Sequence, residues 1–454
     1  MSEQREADVA VVGTGFAGLA AARAIAAAGY SPVVLEARSR VGGRVLNQDI
    51  GAGKVVEAGG EWIGPTQDRM YELAAELAVD TFHSYDTGDA IAIDLSGKRS
   101  RFAGELPRAN PFVVANLIQA VYRLERMARK VPVERPWEAP RASTWDGQTL
   151  ETWLRRSVKS ARARAMLETY MSAIFATDPA TLSLLHALFY FRSGTSFEIL
   201  TRFSGGAQQD RLVGGSQVLA TRLADGLGDA VELEAPVRRI DQSGSAVIVE
   251  SDRLRLEARR VVVAIPPTLA GRIVYQPALP ANRDQLMQRL PQGSVIKVNV
   301  LYDQPFWRAD GLSGLAGSSM GPVTFTADNS PPDGSPGILV AFVEGTHARR
   351  FVQEDPAERR KLVLDFLAHS FGPRAAAPAG YYEHDWSSEE WTRGCYGAHF
   401  PPGVWTEYGP VLRKPIQRIH WAGTETSPVW NGYMEGAVRS GERAATEVVA
   451  SLAE

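Results

Sequence analysis

Residues 8–44 read DVAVVGTGFAGLAAARAIAAAGYSPVVLEARSRVGGR. Val9, Val11 and Val12 form a short β-branched run, and Gly13, Gly15 and Gly18 follow it with G-x-G-x-x-G spacing. In a strand–turn–helix unit the first glycine allows the tight turn. The second lets a pyrophosphate reach the backbone, and the third lets the helix lie close to the strand. An alanine-rich helix is predicted to run to about Gly29, its free N–H groups and positive end facing the phosphates. A second apolar run at 33–35 ends on Glu36, placed to accept the ribose hydroxyls of an adenosine half. A lone glycine fingerprint is weak evidence, but here strand, helix and acidic residue all stand at the right offsets.

Working outward, Arg38 and the run Arg40-Val41-Gly42-Gly43-Arg44 follow directly. A nicotinamide enzyme has no need of this second glycine–arginine cluster. The 454 residues are 44% hydrophobic, enough for two domains with large cores. Forty-nine basic against 52 acidic residues leave a net charge of −3, which gives no support to nucleic-acid binding. The charged start MSEQREADVA carries no secretory signal, and no run is long and apolar enough to span a membrane. The single cysteine, Cys395, excludes an internal disulfide and a cysteine-built zinc site and is compatible with a reducing cytoplasm. The seven histidines show no metal-ligand spacing, so no metal is expected.

Further along, GAGK at 51–54 lacks the upstream glycine of a phosphate loop. Residues 65–77 read as a turn and an amphipathic helix, 84–108 as polar with β-like fragments, and 111–200 as mostly helical. Residues 231–265 read as a β-meander ending in VVVAIPP, and 293–307 as a strand. In 355–372, Asp355 is an N-cap, Pro356 fits the first turn and Gly372 is a stop. The tail from 419 reads as strand, turn and final helix. Gly317-Ser318-Ser319-Met320-Gly321 satisfies the G-x-S-x-G of a serine hydrolase, with Ser319 as nucleophile, but a glycine-rich loop precedes it and an extended segment follows.

Nine ordered stretches carry a resemblance: VVGTGFAGLAAA, LEARSRVGGR, GGEWIGPTQDR, VGGSQV, LEAPVRRIDQ, AIPPTL, GSVIKV, RGCYGAHFPPG and WAGTETSPVWNGYMEGAV. Over nearly its whole length the chain resembles the flavin-containing monoamine oxidases. The resemblance implies an α/β fold, with a two-dinucleotide-binding (Rossmann-like) FAD domain built from 1–81, 212–286 and 389–454. A mixed sheet-plus-helix substrate domain, 82–211 and 287–388, is inserted in it. It implies oxidation of an amine to an imine, hydrolysis to an aldehyde, and reoxidation of FAD by O2 to give hydrogen peroxide.

By family position, Gly43 and Arg44 touch the FAD pyrophosphate beside Arg38, and Gly60 marks a close backbone approach. Val237 gives backbone contacts to adenine, and Trp386 lies against the flavin. Gly423 and Thr424 approach the cofactor, and the helix from Met434 offers N–H groups that stabilise charge on the reduced ring. Tyr396 and Tyr433 match the two tyrosines that flank the amine, and Lys297 matches the lysine that holds a water at flavin N5. Cys395 stands where the membrane-bound relatives form a thioether to the flavin. Tyr170, Ala173, Ile174, Tyr190, Leu200 and Phe325 are expected to line an apolar substrate cavity, which favours hydrophobic or aromatic monoamines. A diamine oxidase would want a carboxylate near Phe325, and an amino-acid oxidase an arginine facing the flavin, for which Arg202 is near enough in sequence. The chain stops at Glu454, too soon for the C-terminal anchor of the membrane-bound relatives, so a cytoplasmic enzyme without membrane anchor is expected. The family is often dimeric, which allows a homodimer.

Overall fold

The computed structural model describes residues 3–104 and 109–453. Strand β1 (Glu3–Val12), helix α1 (Phe16–Ala27) and strand β2 (Pro32–Leu35) form the unit read from the first stretch. Val11 pairs in parallel with Val34 on one side and Val262 on the other. Its neighbours Val9 and Ala10 are fully buried, as expected for a parallel sheet covered on both faces. Around this centre an eight-stranded sheet adds strands Val231–Glu232, Leu254–Val263, Val247–Ser251, Val237–Asp241, Val274–Gln276 and Ile419–Trp421. The 231–265 meander is real: Val237–Asp241, Val247–Ser251 and Leu254–Val263 pair antiparallel in succession. The final helix, Met434–Ala453, packs on α1, with Ala17, Ala21, Ala444, Ala445 and Val448 in one cluster.

A second, seven-stranded sheet takes its strands from 89–102 and 295–385. Val295–Tyr302 lies next to one edge, antiparallel to Gly337–Glu344 on one side and to the edge strand Gly380–Asp385 on the other. The helices between Pro111 and Thr201 form a separate core with Leu124, Trp145, Phe189 and Trp405. A three-stranded sheet, Trp62–Ile63, Asp210–Leu212 and Thr81–His83, ties these bodies together across the segment boundaries.

Several local readings are refined. The strand predicted over 293–307 ends at Tyr302, and a short helix, Phe306–Ala309, begins after Pro305, which has no N–H for a ladder. The polar stretch 84–108 contributes the edge hairpin Asp89–Ile93 and Arg99–Phe102; its last four residues, 105–108, lie outside the described residues. GSSMG begins in the last two residues of strand Leu312–Ser318, where the sequence reading placed a glycine-rich loop, and leads into strand Val323–Asp328. Ser319 therefore sits in a hairpin turn, without the helix that a nucleophile elbow requires. Among the described residues, no helix is long and apolar enough to cross a membrane.

Candidate active site

One cavity of about 1100 Å³ runs from the β1–α1 turn, between the two large sheets, to the helical block. Gly13, Gly15, Glu36, Arg38, Gly43 and Val237 line one end. Gly60, Lys297, Trp386, Cys395, Tyr396, Gly423, Thr424, Tyr433 and Met434 line the middle, with Arg44. Tyr170, Ala173, Ile174, Tyr190, Leu200 and Phe325 line the far wall. Gly18 alone of the site residues expected from the sequence is off this surface. A Cβ there would stand 1.8 Å from the Gly13 carbonyl oxygen, so it serves the helix–strand approach.

The first end fits a dinucleotide. Gly13 turns at φ +100°, and a Cβ on it would strike Ile265 at 2.7 Å. Gly15 caps α1 without any side-chain bond to the helix, so the first-turn N–H groups are left to a ligand. Glu36 is less free than the sequence implied. Its Oε2 accepts from the Thr14 N–H at 2.9 Å and the Thr14 hydroxyl at 2.6 Å, and its Oε1 accepts from the Arg38 N–H at 3.0 Å. That occupies three of roughly four acceptor positions of a carboxylate and leaves capacity for one ribose hydroxyl, not two. Arg38 is no solvated loop residue: its guanidinium is held by Glu389 and Thr392.

Arg44 is anchored within the chain as well. Its guanidinium grips Glu425 at 2.6 and 3.2 Å and the Tyr396 carbonyl at 2.9 Å. The group expected on the pyrophosphate lines the cavity and also fixes the loop that presents Tyr396. The attraction of Arg44 outweighs burial at Glu425 and holds that carboxyl below its usual range.

In the middle, Lys297 projects from a strand that is buried throughout. Its Nζ donates to the Gly59 carbonyl at 2.9 Å and lies 2.8 Å from Glu61 Oε2. Burial raises the Glu61 pKa in spite of that ammonium. Trp386 is buried and donates Nε1–H to the Ala58 carbonyl at 2.7 Å, which fixes its ring in the wall. Cys395 is a buried free thiol, and burial pushes its pKa up to about 12 against the pull of Arg44. The Tyr396 hydroxyl donates to Glu344 at 2.6 Å, while Tyr433 packs edge-on against Trp430 at 4.8 Å and neighbours Tyr190 at 6.0 Å. Burial raises both phenol pKa values, so both rings are neutral in the physiological range.

On the far wall Phe325 stacks on Phe342 with centroids 5.2 Å apart, and Trp62 and Phe203 close the aromatic cluster. Arg202 is ion-paired with the exposed Glu198 one helical turn away and lines the cavity. Sequence reasoning missed Glu61, Glu344 and Glu425. Glu61 stood in the quoted GGEWIG motif, but nothing linear links it to Lys297.

A profile of the flavin containing amine oxidoreductase family matches residues 16–449. The chain belongs to this family. It is 39% identical over 454 residues to amine oxidase [flavin-containing] B of Sus scrofa, a match spanning 98% of this chain and 86% of that protein. Wild-type putrescine oxidase bound to putrescine superposes with a TM-score of 0.95 at 36% identity, covering 98% of this chain and all of the other. Cyclohexylamine oxidase from Brevibacterium oxydans IH-35A gives 0.95 at 34% identity over 99% of this chain and all of its own. This flavin amine oxidase thus joins a nucleotide cradle, a buried lysine and two tyrosines in one cavity.

Proposed function

We propose that this flavin amine oxidase binds FAD and oxidises primary, and also secondary, amines with hydrophobic or aromatic groups, passing electrons to O2 to give hydrogen peroxide. The observation that carries the reading is the continuity of the cavity: the glycine cradle, Lys297, the pair Tyr396 and Tyr433, and the apolar wall around Phe325 share one surface. The flavin supplies the redox chemistry. The chain's residues do the rest. The β1–α1 turn and Glu36 hold the adenosine and phosphate half, with Val237 beside the adenine, and Trp386 lies against the flavin ring. The N-terminus of the final helix at Met434, with Gly423 and Thr424, offers backbone groups to the ring. Tyr396 and Tyr433 orient the amine, and the apolar wall excludes water and disfavours the ammonium form, which cannot be oxidised. Lys297, anchored by Glu61 and Gly59, holds the ordered water of the family pattern.

The division into a discontinuous FAD domain (1–81, 212–286, 389–454) and a substrate domain (82–211, 287–388) is part of the same proposal. Each large sheet draws its strands from one of these sets. A thioether from Cys395 to the flavin is the covalent form of the reading, supported by the thiol's place on the cavity wall. A homodimer in the cytoplasm completes it.

A diamine preference is the second reading, because putrescine oxidase shares the fold so closely. The Phe325–Phe342 stack offers no counter-charge to a distal ammonium, which favours monoamines. The deciding experiment is anaerobic mixing with benzylamine, phenethylamine and putrescine. Bleaching of a flavin band by the aryl amines supports the proposal, and bleaching by none of them sinks it.

A further inference from the structure

Strand Gly337–Glu344 ends on a side chain that is 1% exposed. Glu344 faces Val295 across the ladder, and Phe342 faces Lys297. By alternation Glu344 lies on the same sheet face as Phe342 and Lys297, both of which line the cavity. Its Oε1 accepts from the Tyr396 hydroxyl at 2.6 Å. Its Oε2 lies 2.5 Å from Thr324 Oγ, which also stands 3.1 Å from the Phe342 carbonyl oxygen.

A threonine hydroxyl has one proton for these two acceptors. With Glu344 ionised, Thr324 donates to the carboxylate. With Glu344 protonated, the carboxyl donates to Thr324, and Thr324 turns to the Phe342 carbonyl. Tyr396 donates to Glu344 while the carboxyl is ionised or protonated on Oε2; a proton on Oε1 is instead donated to Tyr396 Oη, whose own hydrogen then turns to the amine nitrogen, so the carboxyl and both hydroxyls are satisfied in each state. The buried charges nearby are already matched. Lys297 on the adjacent strand is held by Glu61, Arg44 by Glu425, and Asp178 by Thr346 and Arg349. Beside them, burial keeps His347 on the following helix neutral and keeps the Cys395 thiol and the Tyr433 phenol protonated. Among the described residues no cation is recorded against Glu344. Burial, countered by the two hydroxyls, pushes its pKa up to about 7.

We propose that Glu344 is a positioning residue that takes a proton from an incoming ammonium group by way of the Tyr396 hydroxyl. An ammonium N–H bond breaks as its proton moves to Tyr396 Oη. The Tyr396 O–H bond breaks as that proton moves to Glu344 Oε1. A cation and a carboxylate become a neutral amine and a neutral acid, the phenol is regenerated, and no electrons move. The transfer removes two charges from an apolar site, where each is costly. It rests on the amine-oxidising reading and adds to it the acceptor that lets a cationic substrate enter.

Two measurements on flavin-loaded protein test it. Glu344→Gln keeps the bond from Tyr396 through its carbonyl and donates to Thr324 through its amide, but takes no proton. In anaerobic stopped flow at saturating benzylamine, wild-type flavin reduction should be about tenfold faster at pH 8 than at pH 6, the ratio for ionisation near 7. Glu344→Gln should be slower and flat across that range. The same pH limb in both proteins, or no limb in wild type, overturns the inference. The second measurement is calorimetry at pH 8 in buffers of different ionisation enthalpy, with α,α-dimethylbenzylamine, which has no hydrogen to give up. Wild type should bind it with little proton release, and Glu344→Gln should release about one more proton per site; equal release overturns the inference. Should Glu344→Gln fail to fold, Thr324→Val removes one bond to the carboxylate and should move the wild-type limb to higher pH; an unmoved limb overturns the inference. Failure of wild-type flavin to bleach with any amine would instead break the underlying functional reading.

Discussion

Lys297 Nζ lies 2.8 Å from Glu61 Oε2, with the two side chains 3% and 1% exposed. One residue comes from a fully buried strand of the second sheet and the other from the loop that follows Gly59-Gly60, so the pair fastens the two large bodies beside the cavity. Removing one partner of a buried pair strands the other's charge, at a cost of about 3 kcal/mol. Lys297→Met and Glu61→Gln should each lower the urea midpoint, and the double variant should lose less than the sum of the two. Additive losses would show that the residues are not coupled. Lys297→Met should also slow flavin reoxidation by O2, measured by double-mixing stopped flow; wild-type rates in both half-reactions would remove it from the mechanism.

Cofactor attachment follows from Cys395. Acid precipitation should leave the flavin on the polypeptide with the mass of an FAD adduct, and Cys395→Ala should release it while folding normally. Free FAD in the wild-type supernatant with an unmodified chain mass disproves the thioether and leaves non-covalent FAD. Release of FMN, or of no flavin after reconstitution with FAD, contradicts the cofactor choice itself.

Substrate preference follows from Phe325. Because its ring stacks on Phe342 and meets Trp62 and Phe203, kcat/KM should be higher for phenethylamine or benzylamine than for putrescine. Phe325→Glu should reverse the order by lowering aryl-amine turnover at least tenfold and raising diamine turnover. Faster wild-type turnover of putrescine is the outcome this account of the wall does not survive.

Acid sensitivity should localise to Glu389. His384, whose Nε2 approaches to 3.3 Å, is the largest cause, and the charges of Arg38 and Arg40 add to it; together they overcome burial and draw its pKa down to about 2. A carboxyl depressed in the folded state stabilises above its unfolded pKa of about 4.3, and that contribution is lost as pH falls through about 2. Glu389→Gln should therefore be less stable than wild type at pH 6, and the gap should close between pH 4 and pH 2. Denaturant midpoints measured over that range would refute the assignment if the gap stays constant.

At the nucleotide end, Gly18→Ala puts a methyl group 1.8 Å from the Gly13 carbonyl oxygen, and backbone cannot yield as a flexible side chain can. Overpacking of this kind costs about 1–3 kcal/mol, and the displaced turn should bind FAD at least tenfold more weakly. Gly29→Ala is the control: no atom stands within 4 Å of a Cβ there, although its φ of +87° adds backbone strain. FAD affinity equal to wild type in Gly18→Ala would mean that the turn tolerates the shift.

The sequence by itself determined the strand–turn–helix–strand unit, because glycine spacing, β-branched runs and an alanine-rich helix are local properties of a few consecutive residues. It determined the capped helix Pro356–Phe371 for the same reason: Asp355 accepts from the N–H groups of Ala357 and Glu358 two and three residues on. The order of nine motifs was also legible, and the family with it. What only the tertiary structure decided were the partners of the charges. Arg44 is met by Glu425, Lys297 by Glu61 and Tyr396 by Glu344, across separations of 381, 236 and 52 residues. A buried charge takes as its counter-charge whichever group the fold brings within a few ångströms, and linear spacing holds no record of that distance. For the same reason the sequence reading named Arg44 and Glu36 as cofactor contacts without the intrachain partners, Glu425 and Thr14, that the fold gives them.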